Sequence, residues 1–251
     1  MMKDSTQRFT DRVADYVQYR PDYPPELIQT LVQETGLTPD KQIADIGSGT
    51  GILTRLLLET GCRVYAVEPN AAMRQAAENL LNDRPGFLSV NATAENTGLP
   101  DHCLDGITVA QAFHWFDRLA TKQEFRRVLH SNGFIALIWN NWRAEQSSLL
   151  SDYAQLLESW GTDYQRVRRT NLDDAGIGQF FHPIPFRKFT YANQQVFDYE
   201  GLQGRLLSSS YTPQAGHPKH LPMLENLQQL FARHQVNGMV TFDYETVLYL
   251  G

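Results

Sequence analysis

The stretch Ile43-Ala44-Asp45-Ile46-Gly47-Ser48-Gly49-Thr50-Gly51-Ile52-Leu53-Thr54-Arg55-Leu56-Leu57-Leu58 reads as a short apolar strand, a glycine-rich turn and a helix. Glycines at 47, 49 and 51 let the backbone turn tightly and come close to a ligand at the start of the helix. The spacing is not the dinucleotide fingerprint G-x-G-x-x-G, because Ile52 occupies its third glycine position. Nor does a Gly-Lys-Ser/Thr follow, so a Walker phosphate loop is excluded.

Outward from this unit, apolar β-type runs alternate with helical patterns from residue 43 to residue 139, the signature of a parallel sheet built from βαβ units. The expected strands are Ile43–Ile46, Val64–Val67, Phe87–Val90, Gly106–Val109 and Phe134–Trp139. The expected helices are Glu26–Thr35, stopped by Gly36, then Ile52–Thr60, Asn70–Asn82 with Asn70 as N-cap, and Arg118–Leu129. Past Trp142 the rhythm changes. One long helix is expected over 145–170, a loop over Asp173–Gly178, a strand over Phe186–Tyr191, helices over Phe197–Leu207 and His220–His234, and a last strand over Gly238–Leu250. With no repeat or low-complexity linker, one domain is expected, with a core over about 37–142, a cap over about 143–237 and the final strand over about 238–250.

The second strand ends Val67-Glu68-Pro69-Asn70, which puts a carboxylate at the C-terminal edge of the sheet, where doubly wound folds bind ligands. Glu68 is therefore the candidate to accept hydrogen bonds from both hydroxyls of a ribose. Composition narrows the partner. With 22 Lys plus Arg against 28 Asp plus Glu the chain carries a formal charge of -6, which opposes a polyanionic partner and favours a small molecule. The Arg166, Arg168 and Arg169 run is too short to reverse that expectation. Two cysteines, Cys62 and Cys103, supply no disulfide framework, and His217 and His220 lack companion ligands, so no metal site and a reducing, cytoplasmic setting are expected. The polar N-terminus and the lack of a long apolar run argue against a signal peptide and a membrane span.

The glycine turn, Val67-Glu68-Pro69-Asn70, Ala94-Glu95 with Leu99-Pro100-Asp101, Asp105-Gly106-Ile107, Ala110-Gln111-Ala112-Phe113-His114-Trp115-Phe116 and Arg127-Val128-Leu129 before Gly133 together resemble class I S-adenosylmethionine-dependent methyltransferases. The resemblance, of the type 11 kind, spans roughly residues 9–142. The opening Arg8-Phe9 through Tyr16 and Tyr19-Arg20-Pro21 is most similar to the small-molecule branch that contains trans-aconitate methyltransferase-like proteins. It implies a Rossmann-like α/β fold: a seven-stranded, mostly parallel sheet with an antiparallel last strand, helices on both faces and a small helical cap. It implies S-adenosylmethionine as cofactor, S-adenosylhomocysteine as product and a small organic methyl acceptor. Gly47, Ser48, Gly49 and Gly51 would line the methionine and ribose, with Asp45 near the amino group, Glu68 on the ribose, Pro69 and Met73 against the adenine and Thr93, Ala94 and Glu95 at its edge. Ala110 and Gln111 would lie beneath the methionine, and Arg20, with Tyr16 and Phe9, would close the pocket against the cofactor carboxylate.

Methyl transfer from a sulfonium is mainly a task of positioning, helped by aromatic faces that favour the cation, with a base needed only when the acceptor must lose a proton. Phe113, Trp115 and Trp142 are the acceptor-side candidates and His114 the candidate base, while Trp139 reads as strand core; the stretch Gly204 to Pro213 resembles one that borders the acceptor site in the same small-molecule branch, which implies Arg205 and Tyr211 as well. A nicotinamide-dependent oxidoreductase and a non-catalytic cofactor-binding module remain as alternatives.

Overall fold

A computed structural model of the chain describes residues 9–165 and 173–251. The Arg166, Arg168 and Arg169 run lies outside these. An N-terminal 3-10 turn, Thr10–Arg12, leads into α1 (Val13–Tyr19) and α2 (Pro25–Thr35), which Gly36 stops in the left-handed conformation. The core follows as β1 (Gln42–Ile46), α3 (Ile52–Leu58), β2 (Arg63–Val67), α4 (Ala71–Leu81), β3 (Phe87–Val90), β4 (Leu104–Ala110), α5 (Arg118–Val128) and β5 (Leu129–Asn141). Beyond it come α6 (Ser148–Trp160), α7 (Asp174–Phe181), β6 (Arg187–Phe197), α8 (Tyr199–Leu207), α9 (His220–His234) and β7 (Val240–Leu250).

The strands form one seven-stranded sheet in the order β3-β2-β1-β4-β5-β7-β6. β1 to β5 pair in parallel, and β7 runs antiparallel between β5 and β6. The order reverses at β1, so the C-terminal ends of β1, β2 and β4 open a crevice at the switch point. Alternate side chains of the strands feed two cores. Ile46, Ile107, Leu137 and Val247 pack with Phe125 of α5 and Ile177 and Phe180 of α7, whereas Ile43, Val64, Ile138 and Leu248 pack with Leu27 and Leu31 of α2 and Leu53 and Leu57 of α3. A third cluster joins α6, α8 and α9 to Phe242 and Tyr244 of β7 and forms the cap.

Four expectations need correction. The long helix over 145–170 is instead a 3-10 turn, Ala144–Gln146, followed by α6, which ends at Gly161; there a side chain would meet the Leu157 carbonyl at 2.5 Å. The expected loop over Asp173–Gly178 is the start of α7, capped by the Asp173 side chain on the Gly176 amide. β6 runs to Phe197, so α8 starts later, at Tyr199, with Asp198 as its cap. β5 begins at Leu129, ahead of the apolar run, because its polar first half pairs only at Leu129 before the register shifts. Asn70 does cap α4, accepting from the amides of Ala72 and Met73 at 3.0 Å each.

Candidate active site

Three glycines with positive φ shape the turn after β1, each for a different contact. At Gly47 (φ 69) a Cβ would lie 2.6 Å from Ala112 Cβ, and at Gly51 (φ 85) 2.7 Å from Leu81 Cδ1, so these two let the turn pack against the β4 loop and α4. Gly49 (φ 58) is different: a Cβ there would meet only Met73 Cε, at an ordinary contact distance of 3.8 Å, so its conformation and not crowding calls for glycine. The amides of Gly47 and Ser48 donate to the Val67 carbonyl at 2.8 and 3.2 Å, which pins the turn to the end of β2.

Glu68 stands at that end, buried, and each carboxylate oxygen accepts one backbone amide: Oε1 from Asn70 at 2.8 Å and Oε2 from Gly49 at 2.9 Å. Burial pushes its pKa above the usual carboxylate value, and the two amides act against that rise. Each oxygen retains a lone pair for a further donor. Asp45 sits beneath the turn, fully enclosed, with Oδ2 accepting from Thr54 at 2.6 Å and Oδ1 from Thr108 at 3.0 Å. Burial raises its pKa to about 6, against the two hydroxyls. These bonds tie β1 to α3 and β4, and Asp45, enclosed beneath the turn, does not line the cleft as expected.

The cleft itself, about 120 Å³, is lined by Gly47, Gly49, Glu68, Pro69, Met73, Thr93, Ala94, Glu95, Ala110 and Gln111, all anticipated, and by Asn70, Ala112 and Phe116, which were not. Ser48 and Gly51 stay behind its wall; the Ser48 hydroxyl is buried with no hydrogen-bond partner among the described residues. A larger cavity of about 410 Å³ adjoins the cleft and takes in His114, Trp142, Arg205 and Tyr211. Phe9, Tyr16, Gln111 and Trp115 line both spaces. Gln111 holds a left-handed backbone (φ 58) at this junction, with its side-chain amide on the Asn140 carbonyl at 3.2 Å. Such a strained position on a non-glycine residue is characteristic of sites where geometry matters more than local comfort.

Arg205 is 3% exposed, its Nε donating to the Tyr244 hydroxyl at 2.8 Å and its Nη1 to Ser209 Oγ at 3.2 Å, with the guanidinium stacked 5.4 Å from the Phe242 ring centre. Arg20 donates to the Ser208 carbonyl at 2.8 Å and stacks over Tyr16; its Nε is buried with no partner among the described residues, and burial, reinforced by nearby Arg205, pulls its pKa down. It lines the larger cavity and not the narrow cleft. Among the described residues lining the larger cavity, Glu145, exposed near Arg143, is the one carboxylate. Trp139 lies in the core and also reaches this wall. Phe113 does not. It is fully enclosed against Trp139 and Phe180, because the 3-10 turn Phe113–Trp115 directs it back onto the sheet, so its expected acceptor contact is replaced by a packing role. Tyr164, Asn140 and Ser210 join the larger cavity without having been anticipated.

A model of the methyltransferase domain matches residues 44–137, from β1 through most of β5. An uncharacterized methyltransferase of Mycobacterium tuberculosis is 29% identical over 249 residues, covering 98% of this chain and 95% of its own. One from Schizosaccharomyces pombe is 28% identical over 244 residues, covering 96% and 95%. The chain carries a methyltransferase domain on a class I, Rossmann-like fold. The fold agrees: the crystal structure of a methyltransferase ascribed to an antibiotic biosynthesis pathway in Anabaena variabilis superposes with a TM-score of 0.62 at 22% identity, covering 92% of this methyltransferase and 98% of that chain. The domain match speaks for a methyltransferase and against the nicotinamide-dependent oxidoreductase. No helix of the methyltransferase, among the described residues, is long and apolar enough to cross a membrane.

Proposed function

We propose that the methyltransferase binds S-adenosylmethionine in the narrow cleft and methylates a small carboxylic acid held in the adjoining cavity. The observation that carries this is the wall common to the two spaces, Phe9, Tyr16, Gln111 and Trp115, where donor and acceptor groups can meet without water between them. The cleft suits the cofactor: Glu68 has a free lone pair on each oxygen, and Gly49 brings its backbone to the lining with no side chain in the way. Glu68 would hold the ribose, and Met73, Pro69 and Thr93 to Glu95 the adenine.

When bound, the cofactor supplies a sulfonium methyl that a carboxylate oxygen takes with its own electron pair, leaving the thioether of S-adenosylhomocysteine. The faces of Phe9, Tyr16 and Trp115 favour a cation and exclude water. The acid follows from the charge in the larger cavity. Arg205 and Arg20 are set into its wall, and the amides of Ser210 and Tyr211 find no protein acceptor among the described residues. A buried cation without a carboxylate beside it is costly, and an anionic ligand offsets that cost. A carboxylate attacks as the anion, so His114 need not remove a proton; its ring lies tilted against Trp115, centres 4.5 Å apart, and shapes the cavity wall.

Release of S-adenosylhomocysteine, followed over a panel of small mono- and dicarboxylic acids and their neutral amides, tests the proposal. Turnover with one or more acids and none with the matching amides is expected. Turnover confined to neutral alcohols or phenols would overturn the acid, and a folded protein that does not bind S-adenosylmethionine would overturn the cofactor as well.

A further inference from the structure

We infer that Arg12 is a positioning residue that couples the two cavities, by tying the N-terminal segment that walls both of them to the loop on the acceptor side. The inference rests on the cofactor and acceptor assignments just proposed. Phe9 and Tyr16 border both spaces, so the segment from Phe9 to Arg20 must be seated for either to be closed. On the cofactor side Asn70 holds it: Asn70 Nδ2 donates to Thr10 Oγ1 at 3.0 Å, while the Asn70 amide donates to Glu68 Oε1 at 2.8 Å.

On the acceptor side Arg12 holds it. Arg12 is 7% exposed, and its Nη1 donates to the Leu207 carbonyl at 3.0 Å, to Thr212 Oγ1 at 2.7 Å and to the Ser209 carbonyl, while Nη2 donates to the Thr212 carbonyl at 2.7 Å. These acceptors lie at the last residue of α8 and in the turn after it, whose Ser209 hydroxyl accepts from Arg205 at 3.2 Å and whose Ser210 and Tyr211 face the larger cavity. An irregular turn has few partners of its own for its carbonyls, so a charged fork that gathers several of them fixes its shape. The result is a continuous bonded path from Glu68 through Asn70, Thr10 and Arg12 to the turn beside Arg205. Its two states are the segment seated, with both spaces walled, and the segment lifted, with Arg12 withdrawn from the turn. A ligand that favours the seated state in one cavity thereby favours binding in the other, by the same factor in both directions.

Hydrogen exchange with S-adenosylhomocysteine as the probe tests this without knowledge of the acceptor. In the wild type the ligand is expected to slow exchange at 47–51 and 93–95, in the cleft, and by at least about threefold at 207–214, which does not touch the cleft. Arg12→Gln is expected to lose the slowing at 207–214 and retain it in the cleft, with Arg12→Lys in between. Thr10→Val, an exposed position that cuts the path at its other end, is expected to lose it likewise and decides the matter if Arg12→Gln does not fold. Slowing at 207–214 that survives in Thr10→Val and the folded Arg12 variants would overturn the coupling, as would cleft protection in the wild type with none at 207–214. No binding of the probe to the wild type by calorimetry would instead overturn the functional assignment, and the coupling with it.

Discussion

Glu68→Gln removes one charge from the cleft and alters almost no volume. In the wild type each carboxylate oxygen already accepts a backbone amide, from Asn70 at 2.8 Å and from Gly49 at 2.9 Å, and each has one lone pair left. Two ribose hydroxyls donating to those lone pairs would make hydrogen bonds to a charged group, each contributing about 1.5–3 kcal/mol. Glutamine keeps one acceptor oxygen and turns an NH2 toward either the Gly49 or the Asn70 amide, donor against donor. The loss of one charge-assisted bond and the weakening of the other predict about 2–4 kcal/mol, or about 30- to 1,000-fold in Kd for S-adenosylhomocysteine. Isothermal titration on wild type and variant reads this directly, with thermal melting as the check that both are folded. Because burial raises the Glu68 pKa, wild-type affinity should also begin to fall at a higher pH than an ordinary glutamate would cause, and the variant should lack that limb. A folded variant whose Kd stays within about twofold of the wild type would refute the assignment of Glu68 to the ribose.

Arg205→Met keeps the packing against Phe242 and removes the charge; it should raise the KM of an acid acceptor about 10- to 100-fold and leave the Kd of S-adenosylhomocysteine nearly unchanged, as steady-state kinetics and calorimetry would show. Phe113→Ala should lower stability by about 3–5 kcal/mol in chemical denaturation, as expected of a ring enclosed in the core and not in the acceptor site. His114→Ala should lower turnover with cofactor affinity intact, and for a carboxylic acid the loss should be the same at every pH where the acceptor is ionised; a loss that varies with pH over that range would restore His114 as a base. Asp45, raised from 3.8 to about 6 on folding, binds more protons folded than unfolded between those values, so its contribution is fully present below 3.8 and lost as pH rises through 6. Asp45→Asn should therefore gain on the wild type, by on the order of 3 kcal/mol between pH 3.5 and 7.5 in denaturant titrations, and a difference independent of pH would contradict the origin of the shift.

The unit around Gly47 to Gly51 was legible because local physics decides it: an apolar strand, glycines where the backbone needs positive φ, and a carboxylate at the next strand end. Ten residues of the cleft wall followed from that unit and its family resemblance. The cap was less legible. Gly176 and Gly178 disguised α7, although Asp173, Ile177 and Phe180 carried its cap and apolar face. The helix expected over 145–170 conceals Tyr164 as a cavity residue, because α6 stops at Gly161, before it. Asp45 and Phe113 were drawn toward the ligand by their neighbours in sequence, whereas Thr54, Thr108 and Phe180, distant in sequence, hold them in the interior. Arg12 carried no signal at all, because its partners lie 195 to 200 residues away.

The most direct test of the cofactor and acceptor assignments is a crystal structure with S-adenosylhomocysteine bound. The expected result has the ribose hydroxyls on Glu68, the adenine beside Met73 and Thr93 to Glu95, and the sulfur facing the wall that Phe9, Tyr16, Gln111 and Trp115 share with the larger cavity. A ligand whose sulfur faces away from that wall, or whose ribose makes no contact with Glu68, would contradict them.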